Sequence, residues 1–501
     1  MEYKSRLQHS LYDLLNQIKL DFSSDYTSKS SPANDTLHLD SQILPAPLAA
    51  YSYKTRVSLR QRAVLNTLLA AAGIGALLQP SLMAAALSWA LFTAFSLLIL
   101  MRALLCLAGI CVRALFRSVP VTPDPDDPLP TFTIMVAVYE EADMMNQLAA
   151  ALDAIRWSAD KLEVFILLEA DDPETWQAAG AARFPAMTQL ILVPPGGPKT
   201  KANALNHGLT LARGQFLTIY DAEDRPHPDQ LRHAYEAFRK APENTVCIQA
   251  PLVATNGRSS WIAAQWALEY DVQFGLLIPG LALYRMPILL GGTSNHMRRD
   301  ALLALGGWDA WNVTEDADLG MRMARAGLGT AAIMTPTYEI APTRFGIWQA
   351  QRSRWLKGFL QTWLVLMRDP VRTWRQMGGI RFLVMQLTLG GAILTPLAHA
   401  PFAGLVGVAF WSGHLEVGLA GLVLLVAGLS VGLLADLLAP GKWSRMRLLA
   451  ILTRPFYWPL HSLAAYRALW ELANKPFFWA KTPHHPDDAE RGPFYSTGSL
   501  A

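Results

Sequence analysis

Between Arg62 and Arg102 the chain carries no Asp, Glu, Lys or Arg. That stretch, Ala63–Met101, is long enough for two apolar helices of about 20 residues each, the length a bilayer core demands. Gln79-Pro80-Ser81 supplies a turn between them. Two further uncharged stretches, Phe382–Leu415 and Val417–Ala435, follow much later. Buried helices of a soluble protein normally give shorter, amphipathic runs, so these read as membrane spans. With 52% hydrophobic and 17% charged residues among 501, the chain divides between lipid and water rather than into roughly three soluble domains.

Basic residues set the expected orientation. Lys54, Arg56, Arg60 and Arg62 precede the first span, and Arg102, Arg113 and Arg117 follow the second. The turn between them has no positive charge, so both flanks are expected on the cytoplasmic side. Lys442, Arg445 and Arg447 after the later hydrophobic pair agree. Leu448–Arg467 is apolar but holds Arg454, Pro455 and Pro459; a span, a re-entrant hairpin and an interfacial helix all fit it.

The polar N-terminal residues do not read as a cleaved signal peptide. Lys4–Leu20 puts Leu7, Leu11, Leu14, Leu15 and Ile18 on one helical face, and the Ser-rich Ser23–Asn34 reads as a linker. His484-His485 reads as a solvated tail. A net charge of +3 gives no case for nucleic acid. Cys106, Cys111 and Cys247 lack metal or redox spacing and are expected to pack.

The expected domains are 1–55, a polar cytoplasmic leader; 56–118, two spans; 119–345, an α/β domain; 346–380, amphipathic interface helices; 381–470, two or more further spans; and 471–501, a cytoplasmic tail. Within the α/β domain, strands are predicted at Thr131–Val138, Glu163–Leu168, Gln189–Val193 and Gln215–Tyr220. Helices are predicted at Glu141–Ile155 and Thr200–Ala212. This alternation implies a largely parallel, Rossmann-like sheet covered on both faces. Ligands of such sheets bind beyond the strand carboxyl ends. Tyr139-Glu140, Asp171-Asp172 and Asp221–Asp224 all fall at such ends.

The acidic cluster Asp221, Glu223 and Asp224 offers hard oxygen ligands for Mg²⁺ or Mn²⁺, although a charged turn with a helix cap has the same composition. Asp316, in Thr314-Glu315-Asp316, suits a base that takes a proton from an attacking hydroxyl. It also suits the first turn of a helix capped by Thr314. In Gln351-Arg352-Ser353-Arg354-Trp355, Arg354 can fork onto phosphate oxygens and Trp355 can offer a flat face to a sugar. Gln351, one turn away, can reach sugar hydroxyls. Trp348, Trp363 and Trp374 are expected on the membrane-facing side of an amphipathic helix.

These motifs, in this order between spans, resemble the cellulose-synthase-like family 2 glycosyltransferases, closest to the XagB-type exopolysaccharide synthases. The resemblance runs from Thr131 to Thr482 through LLEADD (Leu167–Asp172), TKANALN (Thr200–Asn206), YDAEDRP (Tyr220–Pro226), GGTSNH (Gly291–His296), NVTEDAD (Asn312–Asp318), QRSRWLKG (Gln351–Gly358) and Lys481-Thr482. It implies a GT-A fold, an inverting reaction, a UDP-sugar donor and Mg²⁺ or Mn²⁺. Val138, Tyr139 and Glu140 match the uridine segment, Asp171 or Asp172 the uracil-end acid, and Lys201 and Asn206 a motif beside the nucleotide. Asp221 matches the first metal-binding acid; the second is Glu223 here, so ligation could pass to Glu223 or Asp224. Asp316 matches the base. Gln351, Arg354 and Trp355 match the diphosphate and acceptor motif, and Gly292, Thr293 and Ser294 an acceptor-channel loop.

The resulting expectation is a multi-pass enzyme of the bacterial inner membrane, with a cytoplasmic catalytic domain, that polymerises a β-linked exopolysaccharide and exports it. Its partners would be the UDP-sugar, the growing polysaccharide, the bilayer and accessory export or regulatory subunits. Cyclic-di-GMP control within the chain is not expected, because the leader and tail are short. The rival readings are a single-addition transferase acting on a lipid-linked or envelope acceptor, and a non-catalytic envelope scaffold or receptor.

Overall fold

The computed structural model describes residues 51–115, 129–413 and 418–478. The expected leader helix, the Ser-rich linker, Arg117, Lys481-Thr482 and His484-His485 lie outside the described residues. The first two apolar helices are α1 (Leu59–Leu78) and α2 (Pro80–Leu115). Ser58 and Gln61 form a reciprocal capping box at the start of α1. Pro80 opens α2 at a position where its missing N–H costs nothing.

The sheet domain begins β1 (Phe132–Val138), α3 (Met145–Asp153), β2 (Leu162–Glu169), α4 (Pro173–Ala181), β3 (Thr188–Val193), α5 (Lys201–Leu211) and β4 (Phe216–Tyr220). Each strand and helix anticipated there appears within a few residues, except that Ala142–Met144, at the start of the expected first helix, is a 3-10 turn. It continues through β5 (Arg225–Pro226), α6 (Gln230–Lys240), β6 (Thr245–Gln249), β7 (Leu252–Ala254), α7 (Trp261–Val272), α8 (Ile278–Leu283) and β8 (Asn295–Arg298). Then come α9 (Arg299–Ala304), α10 (Glu315–Arg325), β9 (Gly329–Ala332) and β10 (Thr337–Glu339).

Seven strands form one sheet in the order β3-β2-β1-β4-β8-β6-β9. All pairings are parallel except those of β8, which runs against β4 and β6. β1 and β2 are buried on both faces, which is why they read as nearly unbroken apolar runs. Met135, Leu167 and Leu217 pack on one face; Ile134, Val164 and Ile166 pack on the other. This is the mostly parallel, two-faced sheet expected of a GT-A domain. A small second sheet, β5-β10-β7, lies beside it.

After the sheet domain come α11 (Phe345–Leu366), α12 (Pro370–Met377), α13 (Gly379–Met385), α14 (Gly391–Trp411) and α15 (Leu419–Leu438). The chain then forms α16 (Arg445–Leu452), α17 (Arg454–Tyr457) and α18 (Leu460–Asn474). Among the described residues four helical segments are long and apolar enough to cross a membrane: Leu59–Leu78, Pro80–Ala114, Gly379–Trp411 and Leu419–Leu438. The segment left open, Leu448–Arg467, falls in helices of 8, 4 and 15 residues. Those are too short to span a bilayer core.

Trp348 corrects the amphipathic picture of α11. It is fully buried and donates to the Tyr457 hydroxyl at 2.8 Å, so it joins α11 to α17 instead of facing lipid. Trp363 is partly buried and donates to Gln386 at 2.8 Å; Trp374 is exposed as expected.

Lys357 on α11 is wholly buried, paired with Glu471 of α18 at 3.0 Å and donating to the Phe478 carbonyl at 2.6 Å. Removing one member of such a pair strands a charge. Glu471→Leu is expected to destabilise the protein by about 3–5 kcal/mol, whereas Lys357→Met with Glu471→Leu recovers most of the loss. Thermal unfolding in detergent reads both.

The end of the leader is also fastened. Asp309 accepts from the Ser52 hydroxyl at 2.7 Å and the Tyr53 N–H at 2.8 Å. Gln61 on α1 donates to the Leu364 carbonyl of α11 at 2.7 Å.

Candidate active site

The carboxyl ends of β1, β2 and β4 open into a cavity of about 2000 Å³. Asp221, Asp316 and Arg354 all line it, with Glu223, Lys201 and Trp355. Residues remote in sequence meet because β4 delivers Asp221, the first turn of α10 delivers Asp316, and α11 delivers Arg354.

Asp316 has a rigid mount. One carboxylate oxygen accepts from the Ala317 N–H at 2.7 Å. The next turn of α10 is fixed by Arg322, which pairs with Asp318 at 2.7 Å and donates to the carbonyls of Leu305 and Gly307 at 2.9 and 2.8 Å. Thr314 takes the N-cap position but its side chain does not cap. Burial, and then the adjacent charge of Glu315, push the Asp316 carboxyl up to about 7, against the pull of Lys201 and Arg354. A carboxylate so poised near neutrality suits proton abstraction. Burial likewise raises Glu315.

Lys201, at the start of α5, pairs with Asp221 and donates to the Gly292 carbonyl at 2.7 Å. Burial disfavours its charge, but Asp221 and Glu315 overcome that and hold the ammonium above its usual pKa. A Cβ on Gly292 would sit 3.4 Å from the Asp316 carboxylate. The acidic, basic and glycine motifs therefore converge at one point.

Several expected contacts resolve differently. Asp224 is buried, accepting from the Asp221 N–H at 2.7 Å and from the Thr293 hydroxyl. It braces the loop, leaving Asp221 and Glu223 as the carboxylates of that cluster facing the cavity. Ser294, with φ 58°, is buried and donates to Thr337 at 2.5 Å; Gly292 and Thr293 reach the cavity and Ser294 does not. Asn206 does not line it either. Its amide brackets Trp308, donating to the carbonyl at 2.8 Å and accepting from the N–H at 2.9 Å. Asp172 caps α4 by accepting from the Thr175 N–H at 3.2 Å and also holds the Glu140 N–H. Asp171 is exposed and paired with Lys199. Val138, Tyr139 and Glu141 line the cavity, but Glu140, at φ 50°, does not.

The surroundings of Trp355 were not legible as site groups. Trp355 packs on Trp266, ring centroids 4.9 Å apart, and lies nearly parallel to Tyr270 at 6.3 Å. Arg352 pairs with Glu269 and sits 4.8 Å over Trp355 and 4.9 Å over Trp266. The second residue of the pentapeptide thus props the ring of the fifth. Glu339, at the end of β10, also lines the cavity. Burial, then the charge of Glu223, push its carboxyl up to about 8. Trp266, Glu269, Tyr270 and Glu339 lie in no short motif; only the fold brings them to the pentapeptide.

Among the described residues no three His, Cys, Asp or Glu side chains gather as a metal-ligating group. Asp221 and Glu223 are hard oxygen donors facing the cavity. Two carboxylates suit a Mg²⁺-like ion that takes its remaining ligands from water and substrate phosphates.

Comparison with known proteins bears on this geometry. The family profile described as "Glycosyltransferase like family 2" matches residues 130–358, from the strand before the donor end through the pentapeptide. The β-monoglucosyldiacylglycerol synthase of Synechocystis sp. is 24% identical over 284 residues, 54% of this chain and 58% of that one. The UDP-forming cellulose synthase catalytic subunit of Komagataeibacter sucrofermentans is 27% identical over 261 residues, 51% of this chain and 34% of that one. In both, the matched part is under two thirds of the relative's own length. A solved structure, the mannosyltransferase PcManGT of Pyrobaculum calidifontis with GDP-Man and Mn²⁺, is 19% identical with a TM-score of 0.46, covering 75% of this chain and 99% of that one. Residues 130–358, just under half of the chain, thus match the family 2 glycosyltransferase model, and the relatives similar to that part include a cellulose synthase catalytic subunit.

Proposed function

We propose that the protein is an inverting glycosyltransferase of the bacterial inner membrane, multi-pass with its catalytic domain cytoplasmic. It moves a sugar from a UDP-sugar to an acceptor hydroxyl held in the helix-lined cavity. The observation that carries this is the single cavity shared by Asp221, Asp316 and Arg354, continuous with residues of α2, α14 and α15.

In this reaction the acceptor oxygen forms a bond to the anomeric carbon as the bond from that carbon to the diphosphate breaks. Asp316 takes the hydroxyl proton. Lys201 and Arg354 face the negative charge that the departing nucleotide carries away. Asp221 and Glu223 would hold Mg²⁺ or Mn²⁺, which supplies further charge neutralisation at the diphosphate. Trp355, propped by Arg352, offers its ring to the acceptor sugar.

Two product readings have their own support. The Trp355 platform in the cavity that Asp316 lines favours repeated addition into a β-linked exopolysaccharide, whose route outward is the cavity itself. The apolar character of the helix-lined half favours one or few additions to a lipid-linked acceptor. Incubating membranes with radiolabelled UDP-sugars tests the proposal. Transfer of label is the expected result, and a ladder or insoluble polymer distinguishes the first product from the second. No transfer from any common UDP-sugar, with or without Mg²⁺ or Mn²⁺, overturns the reading.

A further inference from the structure

Beyond Asp316 the cavity changes character. Its walls there include Phe92 and Phe95 of α2, Phe402 and Leu405 of α14, and Leu425 of α15. α15 packs against α2, and α14 against α18 and α11, but α14 and α15 do not pack closely on one another. Phe402, Leu405 and Leu425 are correspondingly exposed. Where this apolar half meets the catalytic half, Arg102 and His399 line the wall, and Arg102 Nε and His399 Nδ1 are buried with no hydrogen-bond partner among the described residues.

We propose that the groove between α2, α14 and α15 binds the hydrocarbon chain of a membrane lipid whose polar headgroup carries the acceptor hydroxyl. The lipid enters sideways from the bilayer between α14 and α15. This rests on the transferase reading and names the acceptor class of that same site. A glycan strand in the groove would press many hydroxyls against walls that offer few partners, Ser88 and Thr388 being bonded to their own helices, and buried polar groups without partners are costly. An acyl or isoprenoid chain meets those walls with no such loss. Its headgroup then lies at the junction, where the Arg102 guanidinium offers N–H groups to headgroup oxygens. The headgroup hydroxyl reaches onward to Asp316.

The test uses the full chain in vesicles of total bacterial membrane lipid, with a panel of radiolabelled UDP-sugars. Label is expected in the chloroform-extractable fraction. Gly428→Leu fills the groove from α15 and is expected to lower that labelling at least tenfold. Gly428→Ala adds a methyl that meets only the Ile99 side chain, Cδ1 at 3.3 Å and Cγ1 at 3.8 Å, and is expected to give a smaller drop; it keeps the test alive should the leucine variant not fold. Label confined to lipid-free saccharide, or lipid labelling indifferent to both variants, overturns the inference. Donor hydrolysis without lipid labelling sinks this inference alone. Absence of both hydrolysis and transfer sinks the transferase reading on which it rests.

Discussion

Asp316→Asn is expected to lower the transfer rate by roughly 10²–10⁴-fold, the usual worth of a positioned general base. The amide keeps the size of the side chain but cannot take the acceptor's proton. In the unaltered protein transfer should rise with pH through about 7, because only the ionised carboxylate is competent. Stability should run the other way. The folded state holds this proton more tightly than the unfolded chain, whose ordinary value is 3.8. The group therefore favours folding fully below that value, and its contribution is lost as pH rises to about 7. At pH 8 the asparagine variant should melt no lower than the parent. A variant with unchanged transfer, or a parental rate that falls across pH 6–8, would remove Asp316 from the base's role.

Arg354→Ala is the second large effect, with an expected loss of roughly 10²–10³-fold in kcat for removing one preorganised charge donor. Its pH signature separates it from a merely structural change. Arg354 pulls the Asp316 carboxyl down against burial and Glu315. Without it the pH–rate midpoint should move above about 7. Arg354→Lys restores a charge without the fork and should recover the midpoint better than the rate. A midpoint that stays put in Arg354→Ala would place the guanidinium away from the base.

The parts of this molecule that were legible in the sequence are those governed by local rules. Uncharged runs gave the four long apolar helices, because a helix without charges over that length is suited to lipid. Apolar runs ending in acidic pairs gave β1, β2 and β4, because strands buried on both faces admit little else. Asp221, Asp316 and Arg354 could be picked out as candidates that share one cavity because each sits in a motif whose mount, a strand end or a helix turn, is itself local. What escaped depends on distant partners. Asn206 and Asp224 look like ligand-binding residues in a string of letters, yet Asn206 brackets the backbone of Trp308 and Asp224 is held by the Asp221 N–H and the Thr293 hydroxyl. Trp348 looks like an interfacial tryptophan until Tyr457, more than a hundred positions on, fills the space beside it. Glu269 carries no signature at all, and the role of Arg352 inside the pentapeptide was hidden, since their pairing exists only once α7 and α11 are side by side.

The fastening of Ser52 and Tyr53 to Asp309 has a mechanical consequence. With the chain pinned there and Gln61 tied to α11, only a few residues separate the catalytic body from the first span. In the proposed topology, with α1 crossing the bilayer, the candidate site would therefore hang at a fixed altitude beside the membrane, like a bracket with no hinge.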